Sequence, residues 1–252
     1  MSIDFIYSNS SVLVQDAGYV NVDNQQPLTF CAWIYPRSGP SSGTSFSDIY
    51  AKAATGSIAG RGFLRITSSL GLEWFRAFSG ANNLTVRTAD SSITLNKWQH
   101  VAVVFSGNST ATLTKIYING TEGSYATQSN ASPGTPTDDS VSNLRIGNVG
   151  NYIQPLNGLI TEIYLWGSAQ LESHLVAILA SSQLRRVGLN FNTLTGGLRF
   201  YCPMDDLADT TTATTSSIRD RSINYSSNNF SPANTSGGAS PSFSSDSVLS
   251  YP

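Results

Sequence analysis

Between Gly18 and Trp166, residues that favour turns return about every ten positions, and the stretches between them suit strands far better than helices. The stretch after Pro27 is the most constrained of these. Leu28, Phe30, Ala32 and Ile34 point one way and Cys31, Trp33 and Tyr35 the other, so this strand is apolar on both faces and belongs in the middle of a covered sheet. Arg61–Thr67, Leu70–Phe78 and Ser91–Leu95 read as further short strands, with Ser68-Ser69 and Gly80–Asn83 as the turns between them. Trp98–Phe105 and Leu113–Asn119 form the clearest pair. Asn119-Gly120 is the dipeptide of a type I′ turn, which needs two residues at positive φ, so Lys115–Asn119 is expected to fold straight back into Glu122–Tyr125.

One segment has helical spacing: in Ala169–Ala180, Leu171, Leu175 and Ile178 make a single apolar stripe, expected to lie across the strands. Leu198–Pro203 reads as one more strand. From Ser226 to Pro252 the chain is mostly Ser, Asn, Pro and Gly with one charge, Asp246. Its sizeable apolar anchors are Phe230, Phe243, Val248, Leu249 and Tyr251. Ordering a stretch of that length costs on the order of 1–2 kcal/mol per residue, more than five anchors at about 1.5–3 kcal/mol each offset, so backbone hydrogen bonds must supply the rest. They would come from the chain's own strands or from a neighbouring subunit, as an added strand provides. The expected organisation is an N-terminal arm or edge strand over 1–17, a main domain over 18–225 and a low-complexity C-terminal arm over 226–252.

Composition narrows the function classes. Charged residues are 12% of the chain, and its 14 basic residues are scattered, with Arg185–Arg186 the one adjacent pair, so no nucleic-acid partner is expected. Apolar runs such as Val101–Phe105 fall far short of the roughly 20 residues of a membrane-spanning helix, and no membrane span is expected. Met1–Phe5 opens without a basic and apolar leader pattern, so synthesis without a secretory signal is the expectation. Cys31 and Cys202 both lie in apolar strand-like runs, where a buried free thiol is the common state.

Several segments in order resemble the laminin-G-like, concanavalin A-like jelly roll: Leu28–Pro36, Lys97–Phe105, Lys115–Gly120, Leu144–Asn148 and Leu156–Trp166, followed by the short helix from Leu171. Within them Trp98 plugs the core, Asn119-Gly120 turns a hairpin, and Gly158 marks a bend before the last long strand. The resemblance implies an all-β, two-sheet antiparallel jelly-roll sandwich with one short helix and an extended C-terminal arm. Leu198–Asp206, with Asp220–Asn224 following, is similar to a strand that in many such proteins precedes the sandwich, whereas here it follows. That order resembles laminin-G-like proteins encoded by phages and their hosts, which implies a virion surface location, the alternative being extracellular.

Some relatives of this fold cleave β-glucans with a Glu-x-Asp-x-x-Glu strand, whose carboxylates share a face. The four Glu here (Glu73, Glu122, Glu162 and Glu172) are not in that pattern, and Glu73 and Glu162 read as surface carboxylates. His100 reads as a hydrogen-bonded strand residue, and His174 has no Cys or acidic neighbour placed to make a metal set. No enzyme activity is expected. The resemblance also brings in calcium, held by hard oxygen ligands from rim loops; the candidates are Asp138 with Asp139, and Asp205 with Asp206 and Asp209, against the plainer reading that such Asp cap turns. Beyond that metal no cofactor is implied. Glycan binding needs an exposed ring beside polar hydrogen-bonding groups. Tyr152 with Asn151 in a Gly/Asn loop, Trp74 and Tyr50 are the candidates, whereas Trp33 and Trp98 read as core.

Two readings from different classes follow. The first is a non-enzymatic structural protein on the exterior of an assembly, a phage capsid decoration or fibre-associated protein whose partners are capsid or fibre subunits or copies of itself. The alternative is a lectin-like carbohydrate-binding module recognising cell-surface glycans.

Overall fold

The computed structural model describes residues 2–5, 12–15, 27–53, 62–139, 142–149, 154–168, 198–202, 231–233 and 242–244. Their strands are β1 (Ser2–Phe5), β2 (Val12–Gln15), β3 (Leu28–Pro36), β4 (Phe46–Lys52), β5 (Gly62–Thr67), β6 (Leu72–Arg76), β7 (Leu84–Thr88) and β8 (Gln99–Phe105). They continue with β9 (Lys115–Ile118), β10 (Thr121–Glu122), β11 (Tyr125–Ser129), β12 (Leu144–Ile146), β13 (Gly158–Trp166), β14 (Leu198–Cys202), β15 (Ser231–Ala233) and β16 (Ser242–Ser244). All the pairings among them are antiparallel.

Two sheets result. The back sheet runs β10-β9-β8-β3-β13-β1-β16, with β14 also on β13; the front sheet runs β11-β7-β6-β5-β4-β12-β2-β15. This is the all-β jelly-roll sandwich expected from the sequence. The core lies between the sheets, where Phe30, Ile34, Val101, Val103 and Phe105 of the back sheet meet Tyr50, Leu64, Leu72, Trp74 and Val86 of the front. Four rings cross it in succession: Phe30 to Tyr50 at 5.1 Å, Tyr50 to Trp74 at 5.9 Å and Trp74 to Phe105 at 5.7 Å between centroids. Contacts of this tilted kind add to the burial of the rings themselves.

The double-faced apolar pattern of β3 is explained by the outer side of the back sheet, which is buried as well. Cys31, Ala102, Tyr117, Tyr164, Trp166, Leu198 and Tyr201 form one cluster there, and Trp33, Trp98 and Leu159 another. Trp98 is thus buried as expected, but against Trp33 and Tyr35 outside the back sheet rather than between the sheets. Cys31 and Cys202 are buried, and neither is in a disulfide.

Asn119 and Gly120 have φ of 50° and 77°, the two positive values a type I′ turn requires. The return strand β10 is shorter than expected, because β11 leaves to pair with β7 of the front sheet. The expected strand over Ser91–Leu95 is a pair of turns, with Ser91 at φ 60° and Asn96 at φ 57°; the strand in this part of the chain is β7. Gly147 has φ +84°, and a Cβ there would overlap the ring of buried Phe5. The helix expected over Ala169–Ala180 lies outside the described residues. Of the C-terminal arm, β15 pairs with β2 and β16 with β1, so these two segments are added strands on the chain's own sandwich.

Trp98→Ala is expected to lower stability by about 3–5 kcal/mol, the range for deleting a large buried ring. Gly147→Ala should cost roughly 1–3 kcal/mol through its left-handed backbone and the overlap with Phe5. Chemical denaturation of each variant checks both; an unchanged midpoint would mean that the side chain in question is not packed as described.

Candidate functional site

The outer face of the front sheet carries the chemistry. Because strand side chains alternate, burying Leu64, Trp74 and Val86 turns Phe63, Arg65, Glu73, Phe75, Thr85 and Arg87 to the other side. Register then lines up Asp48, Arg65, Glu73 and Arg87 from β4 to β7 as directly opposed neighbours, with Thr127 of β11 opposite Arg87. The row alternates acid, base, acid, base. Beside it runs a second row: Ala51, Phe63, Phe75, Thr85 and Ser129.

Arg65 is held from two directions. Its Nε and one terminal nitrogen donate to Glu73 Oε1 at 2.9 and 2.6 Å, and its guanidinium carbon lies 3.5 Å from the centroid of the Phe46 ring and 5.4 Å from those of Phe63 and Phe75. Cation–ring and charge-assisted contacts together hold this arginine in one place. Phe63 is buried and Phe75 half-buried, their centroids 6.0 Å apart. Arg87 is half-buried; its nearest carboxylate is Asp90 at 3.9 Å, and its Nε has no hydrogen-bond partner among the described residues.

Asp48 ends the row in an unusual state. Both carboxylate oxygens are buried and without a hydrogen-bond partner among the described residues, while its backbone N–H donates to Gln154 O at 2.9 Å. Burial pushes its carboxyl up to about 8, Arg65 opposing the shift and Glu73 adding to it.

The residues picked out from sequence fall in several places. Trp74 and Tyr50 were expected as sugar platforms, but both have no exposed surface and belong to the ring chain of the core, so neither presents a ring to a ligand. The outward aromatic on β6 is Phe75, one position on. Tyr152 and Asn151 lie outside the described residues. The flanking positions do not: Asn148 Oδ1 accepts the N–H groups of Val149 and Gln154, Val149 packs on the cluster of Ala51, Ala53 and Phe63, and Gln154 O accepts from Asp48 N, so both ends of that loop border β4 and the outer face of the front sheet.

Asp138 is exposed, and Asp139 is buried between two cations, with Lys52 Nζ 3.3 Å from one oxygen and an Arg76 nitrogen 3.4 Å from the other. A calcium ion at Asp139 would have to sit beside both. Asp205 and Asp206 lie outside the described residues, as do Phe230, Val248, Leu249 and Tyr251; Phe243 is in β16, opposite Ile3. Among the described residues no three His, Cys, Asp or Glu side chains are grouped to hold a metal ion.

Three expectations about single residues are corrected. Glu73, read as a surface carboxylate, is buried at 8% exposure, with its carboxylate held by Arg65 at 2.6 Å. Glu162 is not a surface carboxylate: a bulge in β13 places it at φ 51°, buried, where its Oε2 accepts from the hydroxyls of Tyr164 at 3.0 Å and Tyr201 at 3.1 Å. Burial first, then the Glu162 charge, drives the Tyr164 hydroxyl well above its usual pKa. His100 is a buried strand residue whose ring sits edge-on to Trp33 at 5.6 Å, with neither ring nitrogen hydrogen-bonded to a described residue; burial lowers its pKa to about 4.

With this geometry in hand, the chain is assigned by residues 8–176, which match the model of the concanavalin A-like lectin/glucanases superfamily, and it belongs to that family. Solved structures with the same fold include a candidate carbohydrate-binding protein from Bacteroides ovatus, 20% identical with a TM-score of 0.58. That alignment covers 93% of this chain, which spans only 58% of the Bacteroides chain. A heptameric SAP-like pentraxin from Limulus polyphemus is 16% identical over 96% of this chain and 98% of its own, with a TM-score of 0.50. The CBM40 module of the Ruminococcus gnavus IT-sialidase is 14% identical over 71% of this chain and 96% of its own, with a TM-score of 0.53. No curated protein matches the chain in sequence.

Asp48 and His100 make opposite contributions to pH dependence. Asp48 keeps its proton when folded up to about 8 and loses it near 3.9 when unfolded, so its contribution falls as pH rises through that window. His100 is neutral in the fold down to about 4 but protonates near 6.5 when unfolded, so its contribution falls as pH drops between those values. The two oppose each other below pH 6.5, and above it Asp48 acts alone. The melting temperature is therefore expected to fall from pH 6.5 to 8, and Asp48→Asn should flatten that slope. Equal slopes in both proteins would show that Asp48 is ionised in the fold.

Proposed function

We propose that this chain is a non-catalytic carbohydrate-binding module whose ligand lies on the outer face of the front sheet. The observation that carries the reading is the half-buried Phe75 ring beside Glu73, Arg65 and Arg87 on one sheet face, since sugars pack C–H faces on rings and hydroxyls on charged or amide groups. Membership of a lectin-containing superfamily supports it. The carboxylates are occupied in other ways: Glu73 holds Arg65, Glu122 meets Lys115 at 2.8 Å and Tyr125 at 3.0 Å, Glu162 is tied to two tyrosines, and Asp48 is closed off from solvent. None of these four stands as the free acid and base partner that glycoside cleavage uses.

A second reading has one structural observation in its favour. β15 and β16 each end a sheet among the described residues, so an assembly such as a phage virion, or a further copy of the chain, would find strand edges there to pair with. A module carried on a virion surface, or one acting outside the cell, is consistent with a sugar-binding face.

A glycan array probed with the full chain tests the first reading, and binding to a restricted set of sugars is the expected result. No binding to any printed glycan would favour the assembly reading. Incubation with laminarin and lichenan should release no reducing ends above buffer, and turnover abolished by Glu73→Gln would overturn the non-catalytic part.

A further inference from the structure

The charged row on the front sheet does not offer all its groups to a ligand. Arg65 gives two N–H groups to a single oxygen of Glu73 and one face to Phe46. Asp48 is closed off. What is left is Glu73 Oε2, which makes no hydrogen bond among the described residues, and the terminal nitrogens of Arg87, whose side chain is 31% exposed although its Nε is buried, and whose Asp90 contact at 3.9 Å is longer than a hydrogen bond. Glu73 and Arg87 are direct cross-strand neighbours, so their side chains leave the sheet about 5 Å apart on the same face. An acceptor and a donor therefore stand side by side, next to the outward ring of Phe75 and the hydroxyls of Thr85 and Thr127.

Adjacent hydroxyls of a sugar ring fit such a pair. One hydroxyl donates to the carboxylate oxygen while the other accepts from the guanidinium, both bonds being charge-assisted. An anionic sugar fits less well. Its carboxylate would have to approach Glu73, the direct cross-strand neighbour of Arg87, at the cost of like-charge repulsion.

We propose that Glu73 and Arg87 form a subsite for the vicinal diol of an uncharged pyranose, with Phe75 as the ring on which the sugar packs and Arg65 as the residue that positions Glu73. The subsite rests on the carbohydrate-binding reading and adds its residues and ligand class.

The test is isothermal titration of the full chain with methyl glycosides of glucose, galactose and mannose, and with glucuronic and galacturonic acids. At least one neutral glycoside should bind, the acids at least tenfold more weakly, and affinity should change less than twofold between 50 and 500 mM NaCl. Arg87→Gln and Phe75→Ala should each reduce affinity at least tenfold, while Lys97→Gln, at an exposed residue just before β8 of the back sheet, should leave it unchanged. Glu73→Gln also weakens the hold on Arg65, so Arg87→Gln is the deciding variant, with its melting temperature showing that it is folded. Full affinity in folded Arg87→Gln, or tighter binding of the acids, overturns the subsite while leaving carbohydrate binding standing. No binding of any sugar here or on the glycan array overturns both.

Discussion

The chain of rings from Phe30 through Tyr50 and Trp74 to Phe105 determines which face of the front sheet looks inward. Strand side chains have a period of two, so placing Tyr50 and Trp74 in the core leaves their sequence neighbours no choice. Glu73 and Phe75 must face out, and through register so must Arg65 on β5 and Arg87 on β7. A slip of one residue on β6 would put a carboxylate in the core and an indole on the surface. The polar face thus inherits its order from apolar packing on the opposite side of the same strands.

Charge is treated differently at two places in the front sheet. On its inner side, Asp139 lies between Lys52 and Arg76, and Arg76 also donates to Thr137 O at 2.5 Å, which ties the segment around 137–139 across the end of β4 and β6. Such a buried set loses solvation on every ion and is held by mutual attraction, so removing one member costs more than the set contributes as a whole. Asp48, on the outer side, has no such partner and keeps its proton instead. One sheet therefore holds a carboxylate stabilised as an anion and another stabilised as an acid.

Much of the fold was legible in the sequence because its signals are local. The double-faced pattern of Leu28–Tyr35, the Asn119-Gly120 turn and the all-apolar Val101–Phe105 each state their own environment. The candidate site was less legible, and β6 shows why. Both of its faces carry an aromatic and a charged residue, Trp74 with Arg76 on one and Glu73 with Phe75 on the other, so alternation alone does not say which is inside. Three-dimensional partners decide it: Arg76 finds Asp139, which is distant in sequence. The same holds for Glu162, since a bulge leaves no mark in composition, and for Ser91–Leu95, where Ser91 and Asn96 take left-handed backbone that a strand-like pattern does not announce.

The pairing of the first strand has a consequence for how the chain is made. Ile3 of β1 opposes Ile160 on one side and Phe243 on the other, and Val14 of β2 opposes Arg145 and Ser231. Residues 2–5 and 12–15 therefore meet their partners only after the strands around 144–160 and 231–244 have been synthesised. Hairpins such as β5–β6 and β8–β9, whose partners are close in sequence, are free to form first. During that interval β1 and β2 are the strands left unpaired, so the nascent protein carries their open edges until β12 and β13 arrive to pair with them.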